Sequence, residues 1–177
     1  GDVSVLPQEN STALEAFKAG AIDGAWVPEP WATRLVNEGG GTILVDERDL
    51  WPGGDYVTTH LVVTTEFLED HPDAVKALIE GLATAIDLIA DDAARAGALL
   101  SQGIESLTSK PIAQDLIDAT FANVEFTLDP IASSLATSAE DATELGLLEP
   151  VDLADIYDLS IVNAVLTARG EPEVTAP

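Results

Sequence analysis

Neither cysteine nor methionine occurs among the 177 residues, and lysine and arginine together number only seven. Without cysteine there are no disulfides, thiolate metal sites, iron–sulfur clusters or cysteine nucleophiles. Without methionine, Gly1 is not a translation start, so the chain is expected to be a processed or partial sequence. Seven basic residues against 32 acidic ones give a formal net charge of -25. Such a surface excludes nucleic acid as a partner, because phosphate contacts need Lys and Arg, and it disfavours anionic membranes. No apolar run approaches the roughly 18 residues that cross a bilayer, so no transmembrane segment is expected. Aromatic residues are only 5% of the chain, which makes any cluster of them informative.

Apolar residues make up 46% and charged residues 22%, the balance of a folded protein rather than a disordered one. The length suits one domain, or a lobe and a half of something larger. The acidic residues are dispersed along the chain. They read as a solvated coat, suited to high salt, to an exported protein, or simply to solubility.

Residues 2–6 read as a short strand ending at Pro7. Asn10, Ser11 and Thr12 offer helix-capping oxygens, and Thr12 with Glu15 forms a capping-box pattern. The helix that follows carries Leu14 and Phe17 and stops at Gly20. A second apolar run spans 21–27. Glu29-Pro30 opens a second helix, bearing Trp31, Leu35 and Val36 and ending in the glycines 39–41; residues 42–45 read as a third strand. Strand, helix, strand, helix, strand with short connections predicts a parallel α/β unit. Residues 46–55 read as a loop or crossover, and 56–64 as a strand. A long helix from Pro72 is predicted by apolar residues at Val75, Leu78, Ile79, Leu82, Ile86 and Ile89. Further helices are expected over 93–100, 111–121, 130–145 and 153–168, with a short strand at 124–127 and a frayed tail over 171–177.

Generic catalytic motifs are missing. His60 and His71 have no metal-ligand spacing, and no GxSxG, Walker or GxGxxG pattern occurs. His71 before Pro72 suits a helix cap or plain exposure. His60 either points into a cleft or fills a half-buried strand position. The densest unusual cluster is Trp26-Val27-Pro28-Glu29-Pro30-Trp31. It lies at the carboxyl end of an expected parallel strand, where α/β sheets place their ligand crevice; equally, both tryptophans are core and the prolines punctuation.

The strings GAIDGAWVPEPWATRLV, NSTALEAFKAG, ILVDERDLWPGG and THLVVTTEFLEDHPDAVKALIEG resemble the substrate-binding proteins of ABC importers for nitrate, aliphatic sulfonates and taurine. FTLDPIASSL and GLLEPVDLADIYDLSIVNAVL resemble the C-terminal helices of the same family. The resemblance covers nearly the whole chain, and the run from IDGAW to PEPW is its most specific part. It implies a two-lobed α/β fold of the periplasmic-binding-protein type II class. Residues 1–55 would be the later part of the second lobe with the return hinge. Residues 56–177 would be the return strand and C-terminal helices of the first.

The resemblance further implies an extracytoplasmic receptor, lipid-anchored through an N-terminus upstream of Gly1. It would hold a small anionic or zwitterionic solute between the lobes and deliver it to a membrane permease, with no cofactor, no metal and no catalysis. An enzyme resembling hydroxymethylpyrimidine synthases on the same fold is the alternative, weakened by the missing cysteine, and an acidic α/β interaction module is a third. Gln8, Asn10 and Ser11 would offer donors to an anion at a helix start. Glu29 would either cap its helix or pair with an amine. Trp26, Pro28 and Trp31 would wall the site, and Thr58, Thr59 and His60 would line it at the hinge. The 177 residues alone are expected to bind such solutes poorly and to self-associate.

Overall fold

A computed structural model describes residues 3–176; Gly1, Asp2 and Pro177, at the ends of the expected first strand and tail, lie outside the described residues. Eight α-helices follow in chain order: α1 Asn10–Lys18, α2 Trp31–Gly39, α3 Thr65–Asp70, α4 Pro72–Asp91, α5 Ala93–Thr108, α6 Gln114–Asn123, α7 Ala132–Glu144 and α8 Ser160–Arg169. Two short 3₁₀ turns, Glu47–Leu50 and Pro52–Gly54, lie between α2 and α3.

No strand forms among the described residues, which overturns the expected α/β architecture of the periplasmic-binding-protein type. Residues 3–6, 21–27, 42–45, 56–64 and 124–127 are extended or bent, without a ladder. The reason lies in where the hydrogen bonds come from. A helix closes its bonds within four residues, so an apolar stripe and good ends suffice to form it locally. A strand needs a second strand in register. β-branched residues supply only a side-chain preference for a pleated surface. Here Val5 is 84% exposed, Leu44 94% and Val62 80%: the apolar runs are present, but no sheet covers them.

The chain divides into two compact units, Gly1–Asp46 with Asp91–Glu125, and Glu47–Ala90 with Phe126–Pro177. In the first, α1 packs on α2, α2 on α6, and α5 on α6. Its core is Ala13, Leu14, Leu35, Ala96 and Ile117. Close approach fixes two glycines. A Cβ on Gly39 would lie 2.8 Å from Cδ1 of Phe17, and one on Gly97 would lie 3.0 Å from Cγ2 of the buried Ile117. Glycine at these positions lets α1 reach the end of α2 and α6 lie against α5.

The second unit buries Val75, Ala83, Ala132, Val162, Val165 and Leu166. Of the predicted α4 stripe, Val75 is buried and Ile79, Ile86 and Ile89 are half-buried, whereas Leu78 and Leu82 face outward. Ser134 is the buried polar residue here, and both its roles are filled: its Oγ donates to Ile131 O at 2.8 Å and accepts from Val57 N at 3.1 Å. That hydroxyl ties the extended 56–64 segment to the start of α7.

The tail differs from expectation. Asn163 clasps Val174 through both halves of its amide, Nδ2 donating to Val174 O at 3.0 Å and Oδ1 accepting from Val174 N at 2.9 Å. Thr167 Oγ1 donates to Glu173 at 3.2 Å and Arg169 Nε to Glu171 at 2.7 Å. Three side chains of α8 thus hold residues 171–174 against it, and this stretch is not frayed.

Candidate functional site

The Trp-Pro cluster forms the entry to α2, within the first unit. The helix begins at Trp31, with Pro30 as its N-cap residue. Proline has no side-chain acceptor, so the first four amides need other partners. Trp31 N and Ala32 N both donate to Pro28 O, at 2.9 and 3.2 Å, and Arg34 N donates to Pro30 O at 3.0 Å. The remaining amide, Thr33 N, donates to the Glu29 carboxylate at 3.2 Å, and Thr33 Oγ1 donates to it at 3.0 Å. Glu29 therefore caps α2 from one residue before the N-cap position. The segment is a helix start, as the prolines suggest, but no strand precedes it.

Glu29 also reaches across the unit. Asn123 Nδ2, at the end of α6, donates to Glu29 Oε1 at 2.9 Å. One carboxylate thus joins two helices 94 residues apart in sequence.

Trp31 is half-buried, and the guanidinium of Arg34 lies over its ring, 4.7 Å from the centroid. Cation–π geometry of this kind is worth about 0.5–1 kcal/mol at exposed sites. Arg34 also forks onto Glu38, Nε to Oε1 at 2.6 Å and Nη2 to Oε2 at 3.2 Å. Hydrogen bonding to Glu38 holds the guanidinium above its ordinary pKa, and the same bond holds the Glu38 carboxyl below its own. Trp26 is 66% exposed on the approach to this turn. Pro28, exposed, supplies the carbonyl that opens the helix.

The other residues singled out in the sequence fall elsewhere. Glu9, not Asn10 or Thr12, is the N-cap of α1, and no side chain caps that helix. Asn10 and Ser11 are its first two residues, and Gln8 is exposed before it. The Thr12–Glu15 pattern does not become a cap because the helix starts three residues earlier than the pattern requires. Thr58 and Thr59 are exposed in the second unit. His60, half-buried there, places Nε2 3.2 Å from Pro130 O and 3.1 Å from the Tyr157 hydroxyl, with the two rings 5.6 Å apart. Burial pushes the Tyr157 phenol above its ordinary pKa. His71 caps the end of α3 and packs its ring 5.0 Å from that of Phe67.

Two partners carry no signal in the sequence. Asn123 and Tyr157 lie in ordinary helical and loop contexts, and only their long-range pairing marks them. Arg34, by contrast, was within reach, since a basic residue three positions after Trp31 falls on the same helical face. Among the described residues no group of three or more histidine, aspartate or glutamate side chains is arranged to hold a metal ion, and no helix is long and apolar enough to cross a membrane.

A family model described as the NMT1-like family matches residues 1–100, a span that includes α1, α2 and the turn between them. No curated protein and no solved structure gives a significant match.

Proposed function

Because the chain belongs to the NMT1-like family, the family of substrate-binding proteins for ABC importers of nitrate, sulfonates and taurine, we propose that it is the solute-binding component of such an importer and takes a small anionic or zwitterionic solute of that class. The observation that carries the reading is the family match across residues 1–100. It includes the α2 entry, where Glu29, Trp31 and Arg34 meet at one helix start and Trp26 lies exposed in the segment leading to it.

The chemistry there suits a zwitterion better than a bare anion. A net charge of -25 opposes any anion at long range, so a solute carrying its own ammonium gains where a nitrate does not. Glu29 offers such an ammonium a fixed carboxylate. Arg34 offers a planar fork to a sulfonate in exchange for Glu38. Trp31 and Trp26 supply apolar walls for the connecting methylenes. The partner is the membrane permease of the importer. The place of work is extracytoplasmic, as for binding proteins of this family, with a lipid anchor as the means of retention.

The test is calorimetric titration of the full-length protein with taurine, ethanesulfonate and nitrate, repeated with Glu29→Gln and Trp31→Ala. Saturable binding, tightest for taurine and weakened in both variants, supports the reading. Folded protein that binds none of the three overturns the solute class. Binding untouched by either variant overturns the site.

A further inference from the structure

Asp23-Gly24 is the one Asp-Gly step in the sequence, and it lies in the segment that leads from α1 to α2. Residues 22–27 around it form neither helix nor strand, and Asp23, Gly24 and Ala25 are exposed. Among the described residues, neither the Asp23 carboxylate nor the Gly24 amide has a hydrogen-bond partner. A Cβ built on Gly24 would meet nothing within 4 Å, so no neighbouring chain crowds the step. Glycine, with no Cβ and the widest choice of backbone angles, also hinders closure of its nitrogen onto the preceding side chain least. Asp70-His71 is the contrast: Asp70 ends α3, and the amide after it donates to Phe67 O at 2.9 Å. An amide held in that way is not free to turn onto the carboxyl before it.

We propose that Asp23-Gly24 is a modification site, at which the backbone isomerises without an enzyme to β-linked isoaspartate. The Gly24 nitrogen attacks Cγ of the protonated Asp23 carboxyl. The N–Cγ bond forms, the C–OH bond breaks, and the amide hydrogen leaves with the hydroxyl as water. The product is a cyclic imide, and water then adds back at one of its carbonyls. Opening the N–Cγ bond restores aspartate. Opening the bond from nitrogen to the main-chain carbonyl leaves the peptide running through Cγ. Water is the only co-reactant. The negative charge is kept, but the main chain gains one methylene three residues before Trp26, which lengthens the approach to α2.

The test ages the purified protein at mildly acidic pH, folded and in urea, and reads digests by electron-transfer fragmentation, which tells β-linked from α-linked aspartate. Labelled methyl transfer from S-adenosylmethionine by an isoaspartyl methyltransferase counts the same product. Isoaspartate should accumulate at Asp23 and not at Asp70 in the folded protein, preceded by a species lighter by one water. A segment that opens at almost no cost in free energy reacts as the unfolded chain does, so the folded rate should lie within about threefold of the rate in urea. Gly24→Val, whose Cβ meets open space, should slow the reaction about tenfold both folded and in urea, because a β-branched residue crowds the ring closure. Isoaspartate at Asp23 confined to the urea sample, none in either sample, equal rates in Gly24→Val and the parent, or equal accumulation at Asp70 in the folded protein would each overturn the proposal.

Discussion

Removing the Glu29 carboxylate should loosen two helices at once. Glu29→Ala leaves the Thr33 amide at the start of α2 without its acceptor and leaves Asn123 without the contact that ties α6 to α2. Loss of a capping acceptor costs about 0.5–2 kcal/mol. The bond to Asn123 is exposed, so its share should fall at the low end of the roughly 0.5–1.5 kcal/mol of an ordinary hydrogen bond. The sum is about 1–2.5 kcal/mol, or some 2–10 °C in melting temperature for a chain of this size. Glu29→Gln, which keeps one carbonyl oxygen, should lose less than half of that. Urea unfolding followed by circular dichroism measures the total. Amide hydrogen exchange localises it, because the Thr33 N–H should exchange faster in Glu29→Ala while amides in the middle of α4 are unaffected. Thr33 and Asn123 should also be non-additive with Glu29 in double-mutant cycles, as residues sharing one acceptor are. If Glu29→Ala is as stable as the parent and Thr33 exchange is unchanged, the carboxylate does not hold the α2 entry and its bonds there are incidental.

Other outcomes follow from neighbouring features. Trp31→Ala should weaken solute binding in the full-length protein by about 1–3 kcal/mol, the usual loss when an aromatic anchor is truncated; unchanged affinity with a lower melting temperature in calorimetry would make Trp31 a packing residue only. Asp158 accepts from Ser160 N at 2.9 Å and Ser160 Oγ at 2.5 Å at the start of α8, and the Ser160 hydroxyl, then its amide, hold the carboxyl below its ordinary 3.8. A depressed carboxyl contributes stability above its unfolded pKa and loses it as pH falls through the folded value, so the stability gap between parent and Asp158→Asn should narrow below about pH 4, read by acid titration of the unfolding midpoint. Gly97→Ala should destabilise despite the roughly 1 kcal/mol gain in helix propensity, because its methyl would lie 3.0 Å from Cγ2 of the buried Ile117, which has little room to give; a raised midpoint in urea would refute the close approach of α5 and α6. The uncovered apolar segments around Val5, Leu44 and Val62 should bind the dye ANS and drive concentration-dependent association of the 177-residue chain, measured by light scattering; a dark, monodisperse monomer would contradict that exposure.

The helices were legible because their signals are local. Pro72, the α4 apolar residues and the glycine after α2 all lie within a turn or two of what they specify. The extension of α5 through Ser101, Gly103 and Ser106 was not legible, since these residues favour helix only weakly. In the structure Ser101 Oγ donates to Ile112 O at 2.8 Å, a contact made after the helix ends. The expected sheet fails for a related reason: 42–45 and 56–64 have strand-like composition, and composition says nothing about whether a partner strand is in register. The α2 entry was half legible. Two prolines around Glu29 mark a helix start, but the Asn123 bond joins residues 94 positions apart. His60 stands in a strand-like run, and its partners, Pro130 and Tyr157, are likewise set by long-range folding.

The first unit is discontinuous: its parts Gly1–Asp46 and Asp91–Glu125 enclose residues 47–90 of the other. During synthesis, α1 and α2 leave the ribosome well before α6, the helix whose Asn123 closes on Glu29. At about 5–20 residues per second, the intervening chain takes several seconds to emerge. Joining the two parts also carries a loop-closure entropy of about 3 kcal/mol for a flexible loop of that length. The α1–α2 pair must therefore wait, without its packing against α6, until the second part arrives. Vectorial synthesis thus gives this molecule an interval in which its folding depends on the order of translation as well as on the final contacts.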